Sequence, residues 1–144
     1  MIHPRSHSID IARSPHEVFA YITNPAKLAT WQDAEEITKL TTGPVAAGTR
    51  FREVHKAFGR RRVEMTEVVV FEPARRLDIS VVQGPPVDGR WDFEAIADGT
   101  RLRFTPTVRL PRALRRLQPL VTFTTVLAFA RFHRRLKRAL EAGT

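Results

Sequence analysis

Between residues 49 and 109 apolar side chains recur at every second position, and from Pro111 to Ala142 the period changes to that of a helix. No other feature restricts the fold as strongly. Period-two alternation places apolar groups on one face of each strand. The runs cover 49–58 and 61–71, then Leu77, Ile79 and Val81, then Trp91, Phe93 and Ala95, then Leu102, Phe104, Pro106 and Val108. Between them stand Gly59, Glu72-Pro73-Ala74, Gln83-Gly84-Pro85-Pro86 with Asp88-Gly89, and Asp98-Gly99. Asp98-Gly99 predicts a type I′ hairpin turn. Successive hairpins make an antiparallel meander with one apolar face to cover, and only the final helix is large enough to cover it. Pro119 is expected to kink that helix or begin a new segment of it.

Upstream, residues 8–12 alternate as a first strand. Ser14-Pro15-His16-Glu17 then supplies an N-cap, a proline for the first turn and the acid that closes a capping box. Val18, Phe19, Tyr21 and Ile22 follow at helical spacing. Asn24-Pro25 stops this helix and opens a second short one through Ala29 or Trp31. The order predicts an α+β fold: a curved antiparallel sheet of about six to seven strands, two short helices after the first strand, and a long C-terminal helix. One domain over residues 1–144 accounts for the chain.

The sequence has no cysteine, which excludes disulfides, thiolate metal sites and thiol nucleophiles. The first 13 residues carry His3, Arg5, His7, Asp10 and Arg13 and no apolar leader. The longest apolar stretch, 119–130, is interrupted by three threonines and is too short to span a bilayer. A cytoplasmic location is expected. The net charge is +9, and from Arg109 onward nine basic residues face Glu141 alone, so +8 of that excess lies in the last quarter. The five histidines have no metal-ligand spacing, and residues 43–49 mimic half a phosphate loop but lack its lysine. No metal and no cofactor is expected.

The capped segment Ser14-Pro15-x-Glu17-Val18-Phe19-x-Tyr21-Ile22-x-Asn24-Pro25 resembles the START-like superfamily, and within it the bacterial polyketide cyclase/dehydrase group. Leu28-x-x-Trp31, Gly48-Thr49-Arg50-Phe51, Phe71-Glu72-Pro73-x-Arg75-Arg76-Leu77 and Asp98-Gly99-Thr100-Arg101-Leu102 carry the same resemblance, which covers nearly the whole chain. It implies a helix-grip fold with a cavity between the concave sheet and the last helix. Relatives of this kind bind lipids, sterols, hormones or polyketides, and some catalyse cyclisation or dehydration.

Strand alternation sorts the candidate site. Phe51, Glu53, His55 and Ala57 should face the helix, with Arg50, Arg52 and Lys56 in solvent. Glu53 and His55, side by side on an apolar face, are the candidate proton-handling pair. On the next strand Val63, Met65, Glu67 and Val69 form one set, which a bulge would exchange for the other. Met65, Trp91, Phe93, Phe104 and Val108 are expected to face a ligand from the sheet, and Phe123 and Leu127 from the helix. Trp31 is expected near the entrance, and Arg90 and Arg109 are candidate polar anchors.

Three function classes are open. The first is a binding module for an apolar or amphipathic small molecule. The second is a cyclase- or dehydratase-type enzyme using Glu53 and His55. The third is a basic protein that docks on an anionic membrane or a nucleic acid through Arg131, Arg134, Arg135 and Arg138. Nucleic acid is disfavoured because the helix aromatics Phe123, Phe129 and Phe132 are expected to face the core or a partner instead of stacking on bases. The apolar surplus over 120–132 also permits a homodimer through the last helix.

Overall fold

The computed structural model describes residues 1–143, the side chain of Ala57 excepted. The chain order is β1 (His7–Ile11), α1 (Pro15–Ile22), α2 (Leu28–Trp31), β2 (Glu36–Lys39), β3 (Arg50–Ala57), β4 (Arg60–Glu72), β5 (Arg76–Gln83), β6 (Val87–Ile96), β7 (Gly99–Val108), a 3-10 turn (Arg112–Leu117) and α3 (Gln118–Ala142). The seven strands form one antiparallel sheet in the order β1-β7-β6-β5-β4-β3-β2. Register shifts on the 13-residue β4, between Met65 and Thr66 and between Val68 and Val70, add the bends that let the sheet curve. Pro119 begins α3 instead of kinking it, a position where its missing N–H costs nothing.

The capping box of α1 is formed as expected. Ser14 Oγ accepts the Glu17 N–H at 3.2 Å, and the Glu17 carboxylate accepts the Ser14 N–H at 3.4 Å. Val18, Phe19 and Ile22 are thereby aimed inward, and the Phe19 ring meets Phe71 and Phe93 edge-on at 5.1 and 5.2 Å. Val18, Phe19 and Ile22 join the main hydrophobic core at this end of the molecule. The C-terminal half of α3 is also clamped there: Leu136 and Leu140 are buried, and the Glu141 carboxylate accepts the Ala12 N–H at 2.9 Å. Arg13 donates to the Glu141 carbonyl and Lys137 Nζ to the Asp10 carbonyl.

Two hairpins differ from expectation. Asp98 has no positive φ: the two loop residues are Ala97 and Asp98, because Ile96 pairs with Gly99. Gly99, at φ +153, is needed for close approach, since a Cβ there would lie 2.0 Å from the Ile11 carbonyl oxygen. The turn with two consecutive positive φ angles, the I′ signature, is Phe58-Gly59, at 54° and 75°. Ala57 pairs with Arg60 across it, and Glu53 therefore pairs with Glu64. This parity corrects the expectation for β4. Glu64, Thr66 and Val68 face the helix, and Met65, with Val63, Glu67 and Val69, faces the other side.

Candidate functional site

The inward residues of β3, β4, β5, β6 and β7 and the middle of α3 enclose a cavity of about 340 Å3. Its apolar wall is Ile79, Val81, Val87, Trp91, Phe104, Phe129 and Phe132, with Thr125 beside them on the helix. The rings form one packed set: Phe104 stacks on Phe129 at 4.3 Å, and Trp91 lies 4.8 Å from Phe104. Gly89 leaves their space open, because a Cβ there would come within 2.9–3.0 Å of Trp91 and Phe104. The cavity reaches the surface beside Asp33, Lys56 and Arg62, all exposed.

Glu53, His55, Glu64 and Thr66 make the polar end. His55 Nε2 lies 3.0 Å from Glu53 and 3.3 Å from Glu64, and its Nδ1 lies 3.2 Å from the Asp33 carbonyl oxygen. Both ring nitrogens face only acceptors, so both carry protons and the ring is an imidazolium. The Glu53 bond, then the Glu64 bond, push its pKa up to about 10 against the opposing effect of burial. The remaining carboxylate oxygens are also occupied. Thr66 Oγ1 donates to Glu53 at 3.1 Å, and Arg62 pairs with Glu64 at 2.7 Å. Burial alone would raise the Glu64 carboxyl, but His55 and Arg62 hold it below its ordinary value. Ligand atoms of Glu53, His55 and Glu64 lie within 4.8 Å of one another, a spacing that one cation could bridge. In the arrangement seen, the positive charge between the carboxylates is the imidazolium itself.

A second polar chain lies behind the aromatic wall. Trp91 Nε1–H donates to His133 Nε2 at 3.0 Å, so the neutral His133 carries its proton on Nδ1. That proton is donated to His7 Nδ1, also at 3.0 Å, which places the proton of His7 on Nε2. Burial lowers His133 to about 3, helped by the charge of His7 when protonated. Burial also lowers His7 to about 4, with the N-terminal amine and Arg134 adding repulsion.

Of the residues expected at the site, Glu53, His55, Trp91 and Phe104 line this cavity. Phe51, Phe93 and Val108 are buried core and are not on its wall. Trp31 is not near an entrance: it is 1% exposed and stacks on His133 at 6.2 Å. Met65 is on the opposite face, for the hairpin parity given above. Phe123 and Leu127 point outward, 38% and 42% exposed, and Thr125, Phe129 and Phe132 take the helix side instead. The arginines are not cavity anchors. Arg90 pairs with Asp78 at 3.4 Å on the outer face, and Arg109 donates to the Val81 carbonyl at 3.1 Å.

Sequence reasoning missed Glu64, Thr66 and the His7–His133 pair. A signal existed for each. Pairing across a two-residue Phe58-Gly59 turn puts Glu64 opposite Glu53. His7 alternates with Ile9 and Ile11, and His133 lies on the helical stripe of Val126, Ala130, Leu136 and Leu140.

The model of the family described as polyketide cyclase/dehydrase and lipid transport matches residues 5–141. The chain belongs to that family. Among curated proteins none matches the sequence. Solved structures share the fold. A protein of Rhodobacter sphaeroides is 21% identical with a TM-score of 0.72, over 98% of this chain and 95% of that one. A protein of Thermus thermophilus is also 21% identical, with a TM-score of 0.73, over 97% and 98%. The Aha1 dimer of Colwellia psychrerythraea is 19% identical with a TM-score of 0.69, over 97% of each chain. The helix-grip architecture of this family member is a hydrophobic-ligand-binding fold. Among the described residues no helix is long and apolar enough to cross a membrane.

Proposed function

We propose that this family member binds a hydrophobic or amphipathic small molecule, such as a lipid, polyketide or aromatic compound, in the cavity under α3. The supporting observation is the wall itself: Trp91, Phe104, Phe129 and Phe132 on one side, and one charged cluster at Glu53, His55 and Glu64. That division suits a ligand with an apolar body and one polar group. A volume of about 340 Å3 favours a compact ligand, near the lower end of the usual range of roughly 300–1,000 Å3. Native mass spectrometry of gently purified protein, followed by organic extraction, is expected to reveal one apolar adduct per chain. Thr125→Trp, which projects an indole from α3 into the cavity, is expected to abolish the adduct and leave the fold intact. An adduct retained in that variant would place the ligand elsewhere.

A second reading, cyclase- or dehydratase-type turnover, is favoured by one observation. A protonated imidazole held between two carboxylates borders the apolar wall, so proton donors and acceptors stand where a bound carbonyl or hydroxyl group could meet them. With the extracted compound as substrate, Glu53→Gln should lower turnover at least 100-fold, the low end of a general acid–base contribution. A folded Glu53→Gln protein with undiminished turnover would dispose of this reading and leave binding as the function.

A further inference from the structure

The open end of the sheet carries a second feature that the cavity does not explain. Because β3 to β7 are antiparallel neighbours, the Phe58-Gly59 turn, the 84–86 turn and the segment after Val108 all lie at one end. Arg109 joins the last two, its N–H donating to the Pro86 carbonyl at 2.8 Å. This is also the end where Lys56, Arg62, Pro85 and Val87 border the cavity.

Large apolar side chains stand in solvent here. Phe58 is fully exposed at a positive φ that a bulky residue rarely adopts. Val82, Leu114, Leu117 and Leu120 are 45–60% exposed. Leu114 and Leu117 eclipse each other on the 3-10 turn, and Leu120, Phe123 and Leu127 continue the row on α3. Basic groups flank this row: Lys56 and Arg60 beside Phe58, with Arg61 paired to Glu35 and Arg62 to Glu64 next to them, and Arg112, Arg115 and Arg116 beside the leucines. No Asp or Glu occurs from Arg109 to Leu140.

The geometry points to a docking surface for an anionic lipid membrane, centred on Phe58, Leu117 and Leu120 around the cavity mouth. Three considerations select this occupant. A second copy would bring the same arginines against themselves, and an isologous interface must be self-complementary. A nucleic acid would meet the charge but leave the leucines in water, with few rings to stack on bases. An anionic bilayer satisfies both features, since arginines hold lipid phosphates while Phe and Leu enter the acyl boundary. Docked in this way, the cavity would open against the membrane.

The test is flotation with vesicles of phosphatidylcholine, alone or mixed with phosphatidylglycerol, without added ligand. Binding is expected to the mixed vesicles only, weakening as salt is raised. Leu117→Asp with Leu120→Asp, and separately Phe58→Asp, are expected to weaken it about tenfold or more. Aspartate tolerates the positive φ at 58, and all three sites are exposed, so unchanged melting is expected alongside. Arg115→Glu with Arg116→Glu should also weaken binding about tenfold. Phe58→Trp should show a blue-shifted emission increment on the mixed vesicles.

No flotation with the mixed vesicles overturns the proposal. So does flotation indifferent to the Leu117, Leu120 and Phe58 variants, or a stable dimer that covers these residues, or DNA binding that matches vesicle binding. Because vesicles are read without ligand and the adduct is read without vesicles, failure of docking and failure of the ligand reading are separate results.

Discussion

His133→Ala is expected to lower folding stability by about 3–5 kcal/mol in urea titrations, the range for a large-to-small core change. The replacement would remove a side chain with no exposure at all and leave the Trp91 N–H and the His7 Nδ1 without partners in the core. The same pair predicts an acid limb in the stability of the unsubstituted protein. Both histidines are neutral in the fold, with pKa values lowered from 6.5 to about 4 and about 3, whereas in the unfolded chain they take up protons near 6.5. Stability from this source is complete above about pH 6.5 and falls as the pH drops toward 4 and then 3. The amine terminus and Arg134 face His7 with like charge and strengthen the fall. A His7→Leu/His133→Leu double variant should lose most of this limb. Assigned resonances of His7 and His133 titrating near 6.5 in the fold would overturn the reading.

The second large effect has the opposite sign. The His55 pKa is raised to about 10, so its contribution is fully present below about 6.5 and is lost as the pH rises through about 10. His55→Leu would leave Glu53 and Glu64 directly opposed across β3 and β4, 9% and 6% exposed, with only Thr66 and Arg62 as partners. Breaking a buried ion cluster in this way costs about 3–5 kcal/mol. The variant should regain stability as the pH is lowered toward 5, because protonating one carboxylate removes the repulsion. Melting temperatures from pH 5 to pH 10 would test both trends. A His55→Leu protein as stable as its parent at pH 8 would mean that the cluster is solvated and energetically unimportant.

Local chemistry accounts for much of the architecture. Ser14 and Glu17 are three residues apart, and their capping box needs no other part of the chain. Alternation along 77–81, 91–95 and 102–108, with Gly and Pro between the runs, was enough for a meander, and the apolar tail was enough for its covering helix. Those signals act over a few residues, where backbone sterics and hydrogen bonding dominate. Glu53 and His55 were legible as a pair for the same reason, being i and i+2 on one strand.

The composition of the cavity was settled over longer distances. Whether Glu64 or Met65 faced inward depended on a single residue of register, set by two positive φ angles at Phe58 and Gly59. Residues 120–132 are apolar almost all round, so that stretch by itself does not say which side is buried. The ties of Lys137 to the Asp10 carbonyl on β1 and of Glu141 to the Ala12 N–H just after it set its rotation, placing Phe129 and Phe132 inside and Phe123 and Leu127 outside. His7 and His133 are 126 positions apart, and their tautomers follow from contacts that only packing creates. A sequence specifies strands, caps and turns through neighbours along the chain. A binding wall is made by residues that are strangers in sequence, and its membership follows from register and helix rotation.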